Sequence, residues 1–159
     1  MEEGHSNTEG KAMNLSPNFT LAEFILSGEA SRRGIKNDPP AELFPALKRT
    51  AEGMEAVRAR LGGLPITISS GYRSLALNRA LKSKDTSQHV KGEAADFICP
   101  RYGSPANIVA ALKDSDVPYD QLILEFAQQG RGWVHVSFAA SPRRQAFALD
   151  ERGVQPLFA

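Results

Sequence analysis

The chain has 159 residues, a formal net charge of +1 and a hydrophobic fraction of 42%, enough for one domain with its own core and too little for two. Near-neutral charge removes the electrostatic motive for binding nucleic acid or an anionic membrane surface. No apolar run approaches the roughly 20 residues that span a bilayer. The lone cysteine, Cys99, excludes an internal disulfide and leaves the redox compartment undetermined.

The polar opening, Met1 to Asn14, has no basic n-region and no apolar h-region, so it is not read as a secretory signal. Residues 1–15 are expected to be a disordered leader in which His5 plays no part, with a single domain over 16–159. Thr20 followed by Glu23 is a capping-box signal for a short helix over Leu21–Leu26. Ser27 to Asn37 is polar and is assigned to the surface, ahead of the breaker Asp38-Pro39-Pro40. Ala41 to Leu61 carries apolar residues near helical period, with Pro45 in the first turn and Gly62-Gly63 as the stop. Leu64 to Ser70 alternates and is β-branched, which predicts a strand.

Ser74 to Leu81 is predicted as a short helix buried through Leu75, Leu77 and Leu81. Lys82 to Thr86 is a polar loop, and Ala94 to Cys99 a second strand. Pro105 to Lys113 is a helix capped by Ser104. Tyr119 to Phe126 and Gly132 to Phe138 are two further strands joined by a turn at Ala127–Arg131. The tail offers Leu149, Val154 and Leu157 for one last edge strand. Helices come first and strands cluster later, which argues for an α+β fold with a mainly antiparallel sheet and helices on one side.

The chemistry concentrates in Ser87-Gln88-His89-Val90-Lys91-Gly92-Glu93-Ala94-Ala95-Asp96 and in Trp133-Val134-His135. An Asp inside an apolar strand is costly unless it is paired, hydrogen-bonded or bound to a metal. His135, between two valines, poses the same problem. On a strand, Trp133, His135 and Ser137 share one face and Val134, Val136 and Phe138 the other. The valine face suits a core, so His135 faces a cleft. Alone, such a histidine is more often a satisfied structural residue than a ligand. Together, two His and one Asp suffice for a catalytic zinc with a fourth position left for water, and the same set also suits other first-row metals. Cys99, three residues beyond Asp96, points to the opposite face and is expected to be buried as a small apolar residue.

The pattern Ser87-x-His89-x-x-Gly92-x-Ala94-x-Asp96 resembles the signature of the zinc D-Ala-D-Ala peptidases, bacterial and phage peptidoglycan enzymes that share the Hedgehog/DD-peptidase fold. Ser69-Ser70-Gly71-Tyr72-Arg73-Ser74 and Trp133-Val134-His135 resemble the same family's upstream and downstream segments. Phe19-Thr20-Leu21-x-Glu23-Phe24 resembles the opening of one of its small branches. The resemblance implies that His89, Asp96 and His135 hold one zinc, which activates water. It implies that Arg73 binds substrate and stabilises a developing oxyanion. Ser87 and Tyr72 join Arg73 as substrate-binding candidates, against a loop-capping role for Ser87 and a packing role for Tyr72. Gln88 and Lys91 are read as solvated loop residues.

Many members carry an acid three positions before the last zinc histidine, where this chain has Gly132. Glu125 on the neighbouring strand is the candidate general base, against a surface pairing with Arg131. Glu93 and Asp120 are runners-up. A symmetric six-residue loop would pair Glu125 with Val134, on the wrong face, whereas a one-residue bulge would bring it opposite His135. The implied activity is hydrolysis of an amide bond in peptidoglycan stem peptides, foremost D-Ala-D-Ala, with a lysin-type endopeptidase as a close variant. The alternative is a zinc-bearing, non-catalytic cell-wall or protein binding module. A stem peptide is the expected partner, with no nucleic acid and no membrane span, and a monomer is the expected state. Localisation is left open.

Overall fold

The computed structural model of the protein describes residues 13–157; the expected leader, His5 included, lies mostly outside them. The chain runs β1 (Asn14–Ser16), β2 (Phe19–Thr20), α1 (Leu21–Ile25), α2 (Gly28–Arg33), a 3-10 turn (Ala41–Leu43), α3 (Phe44–Arg60), β3 (Thr67–Ser70), α4 (Leu75–Ala80) and β4 (Ala94–Ile98). It continues through α5 (Pro105–Lys113), β5 (Gln121–Glu125), a 3-10 turn (Gln128–Gly130), β6 (Trp133–Ser137), β7 (Gln145–Asp150) and β8 (Gly153–Gln155). β1 takes in Asn14 and Leu15, which the sequence assigns to the leader, and Leu15 is buried.

The local signals work where the physics is local. Thr20 and Glu23 form the reciprocal capping box at α1. Ser104 caps α5 by accepting from the Asn107 amide, with Pro105 inside the first turn. In α3, Leu47, Ala51, Met54 and Val57 recur on one stripe and are fully or almost fully buried. Gly62 and Gly63, both at positive φ, end the run. The polar segment assigned to the surface contains α2, capped by Ser27 and closed by Gly34 at φ 63°. α4 buries Leu77 and Asn78 instead of a leucine stripe, and Leu75 is exposed.

Six strands form one sheet in the order β3-β4-β6-β5-β7-β8. It is mixed, not purely antiparallel, because β7 runs parallel to β5. The tail expected as a single edge strand supplies both β7 and β8. After β6 the chain steps over the start of β5 to reach its far edge, which produces the parallel pairing. Ala95, Phe97, Leu122, Leu124, Val134 and Val136 point to one side and pack in a single core with Leu47, Met54, Ile108 and Leu112 of the helices. Asp96 and His135 point to the other side. Among the described residues no helix is long and apolar enough to cross a membrane.

Asp120 pins the step from β6 to β7. Its carboxylate is buried and accepts from the Arg143 guanidinium at 2.9 and 2.7 Å and from the Arg143 amide at 2.8 Å. Arg144 then donates to the Val117 carbonyl at 2.8 Å and lies over the Tyr119 ring. The Arg143 hydrogen bonds hold the Asp120 carboxyl down at about 2. A carboxyl whose folded-state pKa is depressed contributes stability above its unfolded pKa and loses it as pH falls through the folded value. Asp120→Asn is therefore expected to cost about 1–2 kcal/mol at pH 7, discounted for the solvent exposure of Arg143. The gap should close between about pH 4 and pH 2, measured by urea unfolding across pH.

Candidate metal centre

The β4–β6 ladder sets Asp96 directly opposite His135. Directly opposed residues project to the same face of a sheet, so the two side chains meet on the side away from α3 and α5. Asp96 Oδ1 lies 3.0 Å from His135 Nδ1 and 3.3 Å from His89 Nε2. His89 arrives from the loop before β4 and turns back at Gly92, which has φ 71° and lies against Leu47. Thr50 of α3 donates to the Gly92 carbonyl at 2.7 Å, tying the loop to the longest helix. All three ligand candidates are buried.

His89 Nδ1 lies 2.6 Å from the Gly71 carbonyl. A carbonyl only accepts, so His89 carries a proton on Nδ1 and presents Nε2 to Asp96. Gly71 can reach this position because it lacks a Cβ, which would stand 2.5 Å from the Phe24 carbonyl oxygen. The neighbouring backbone is stitched in turn: Tyr72 N donates to Phe24 O at 2.7 Å, and Arg73 N to His89 O at 3.1 Å.

One donor atom from each of His89, Asp96 and His135 lies within 4.8 Å of the others. Two ligands at zinc-bond length in a tetrahedron stand about 3.3 Å apart. The observed 3.3 and 3.0 Å approach that spacing, so the donor set fits such an ion. Burial alone would raise the Asp96 pKa. The two imidazoles beside it, His89 foremost, outweigh burial and hold the carboxyl well below the usual range.

Arg73 also reaches the centre. Its Nη2 lies 3.6 Å from Asp96 Oδ2, and its Nε donates to Ser70 Oγ at 3.1 Å. Ser70 is delivered by an irregularity in β3, where the register shifts between Ile68 and Ser70 so that Ser70 opposes Asp96. Asn78 Oδ1, at 3.5 Å, flanks the guanidinium from α4. Ser87 Oγ accepts from the His89 amide at 3.3 Å, a loop-capping contact. Tyr72 is buried in the core cluster, and burial followed by the charges of Asp38 and Glu42 raises its pKa.

Glu125 pairs with Trp133, while Ile123 opposes His135. Neither register expected from the sequence occurs. The observed one still places Glu125 on the face of Trp133 and His135, one diagonal step from the histidine. Burial and then the Asp96 charge push its carboxyl up, while His135, the Trp133 indole and Arg73 pull the other way. Gly132 cannot host the acid: at φ 84°, its Cβ would stand 2.1 Å from the Glu125 carbonyl and 2.5 Å from that of Phe126. The two runners-up lie apart from this role. Glu93 faces Arg49 at 3.6 Å, and Asp120 is engaged by Arg143. Cys99 is fully buried in the core.

Gln88, read as a solvated loop residue, is the member of the centre that sequence reasoning missed. Its Nε2 donates to Asp120 Oδ2 at 2.7 Å, and its Oε1 lies 3.3 Å from His135 Nε2. Nothing in its residue type marks it; its one signal is adjacency to His89. Lys91 is exposed, as expected.

Two outcomes follow from these contacts. Gly71→Ala should lower stability by about 1–3 kcal/mol through overpacking against Phe24, a fall of several degrees in Tm by calorimetry. Glu125→Gln should raise the Tm of the metal-free protein at pH 7, because a raised carboxyl pKa means that the charged form is disfavoured in the fold. That gain should vanish below about pH 4, where folded and unfolded carboxyls are both protonated.

No curated protein matches the chain. The family model described as Peptidase M15 matches residues 17–137. That span opens just before the α1 capping box and ends on β6, so it contains both histidines, Asp96, Arg73 and Glu125. The match covers most of the chain, and the protein belongs to the peptidase M15 family.

Proposed function

We propose that the protein is a zinc metallopeptidase that hydrolyses an amide bond in peptidoglycan stem peptides, foremost the D-Ala-D-Ala bond, with a terminal D-alanine as leaving group. The observation that carries this reading is the shared face of β5 and β6. A carboxylate that is no part of the ligand set, that of Glu125, shares the face of His135 one diagonal step away, on the face where three donor atoms converge. Members of this family are zinc-dependent. A zinc ion held by His89 Nε2, Asp96 and His135 Nδ1 would supply Lewis acidity to the scissile carbonyl and to a water.

Each side chain then has a task. Glu125, with its raised pKa, takes the proton of the attacking water and returns it to the leaving amine. Arg73 offers its guanidinium edge beside Asp96 to a substrate carboxylate or to the developing oxyanion. The Ser70 and Asn78 contacts hold that guanidinium in place before substrate arrives. Ser87 borders the same loop and remains the candidate for a lesser substrate contact. The lack of an acid at position 132 is the feature that favours a non-catalytic module. Glu125 meets that need from the other strand of the hairpin.

The test is release of D-alanine from a peptide ending in D-Ala-D-Ala, with the chelated and zinc-restored protein compared. Turnover should disappear with chelator and return with zinc. His89→Ala should abolish stoichiometric metal by elemental analysis. Glu125→Gln should retain metal but lower kcat about 10²- to 10⁴-fold. Metal-dependent peptide binding with no turnover in the wild type would decide for the binding module.

A further inference from the structure

We propose that Gln88 is a positioning residue for the metal centre: the Asp120–Arg143 pair sets the direction of its amide, and the amide in turn sets which nitrogen His135 offers to an ion. This inference rests on the metal-centre reading above and extends it to three residues outside the ligand set.

Arg143 grips Asp120 through its amide and two guanidinium nitrogens at 2.7 to 2.9 Å. The Asp120 carboxylate is thereby ionised and accepts only. Gln88 places one end of its amide 2.7 Å from Asp120 Oδ2. Only the NH2 end can donate to a carboxylate, so Oε1 must point the other way, toward His135 Nε2 at 3.3 Å. A carbonyl-type oxygen at that distance favours a proton on Nε2. When an ion binds, the nitrogen left to hold it would then be Nδ1, which lies 3.0 Å from Asp96 Oδ1. The Gln88 backbone is itself held, because its carbonyl accepts from Lys91 N and Glu93 N, both at 3.1 Å.

His89 solves the same problem by a different route, with the backbone carbonyl of Gly71 on its Nδ1. The two imidazoles are thus oriented from opposite sides, one by main chain and one by a side-chain relay. Outer partners of this kind orient ligand imidazoles, and their loss typically costs 10- to 100-fold in metal affinity. The relay also ties the centre to the segment that steps over β5, since Arg143 lies just before β7.

The experiment measures zinc affinity by competition with a chromophoric chelator, together with the imidazole proton resonances of the ¹⁵N-histidine-labelled, zinc-loaded protein. Gln88→Leu keeps the bulk and removes the amide. It should bind zinc about 10- to 100-fold more weakly, with a metal-free Tm close to the wild type. Its His135 Nε2 proton should exchange rapidly with solvent, whereas in the wild type it should be protected and shifted downfield. A swapped pair, Gln88→Glu with Asp120→Asn, returns an acceptor to His135 and a donor to position 88, and should recover most of the affinity. Wild-type affinity and an unchanged His135 proton in Gln88→Leu would overturn the proposal. So would a folded swapped pair with no recovery, because Gln88 would then act through packing alone. A wild-type protein that binds no zinc would remove the metal centre itself, and the relay with it.

Discussion

The antiparallel pairing of β4 with β6 is the constraint on which the rest depends. It places Asp96 opposite His135, and Ala95 and Phe97 opposite Val136 and Val134. One register thus settles two things at once: a carboxylate and an imidazole share one face, and four apolar side chains share the other. A slip by one residue would turn one of the two strands over, carrying either Asp96 into the core and Phe97 out of it, or His135 in and the valines out. The apolar face therefore enforces the polar one. Burial of Ala95, Phe97, Val134 and Val136 against α3 and α5 supplies the free energy that holds two costly polar groups together.

A second set of contacts brings in what the ladder cannot. His89 lies outside any strand, so its position depends on loop closure. The loop is held by Thr50 at Gly92, by the Gly71 carbonyl on the imidazole, and by the Arg73 amide on the His89 carbonyl. Two glycines are indispensable for steric reasons: Gly71 because Phe24 backbone lies against it, and Gly92 because it turns at positive φ beside Leu47. Arg73 depends on the irregularity in β3 that swings Ser70 opposite Asp96. The centre is thus assembled from three strands and two loops, with α3 beneath as the common support.

The hairpin between β5 and β6 shows how backbone conformation decides where a carboxylate can stand. Phe126, Gln129, Gly130 and Gly132 all adopt positive φ in this turn. The turn packs Gly132 so tightly against the Glu125 and Phe126 carbonyls that no side chain fits there. It also sets the register that brings Glu125 opposite Trp133, and so onto the ligand face. The carboxylate on that face is disfavoured by burial and by Asp96. It is tolerable only where a cation or a proton offsets it, which is consistent with the general-base role proposed for Glu125.

The sequence by itself determined whatever depends on neighbours along the chain. The Thr20–Glu23 capping box and the Ser104 N-cap, the α3 stripe, the α5 boundaries and the parity that separates His135 from Val134 and Val136 all follow from short-range rules of period and hydrogen bonding. The His89, Asp96, His135 and Arg73 set was legible because its motifs are local runs, and the structure brings all four together. Tertiary structure alone decided the rest. The parallel pairing of β5 with β7 joins segments whose contact no local pattern encodes. The register of Glu125 depends on a turn held by four left-handed residues, and Gln88 gains its place only because Asp120, 32 residues on, is fixed by Arg143. A glutamine reads the same in solvent and in a relay; only the partners that surround it after folding tell the two apart.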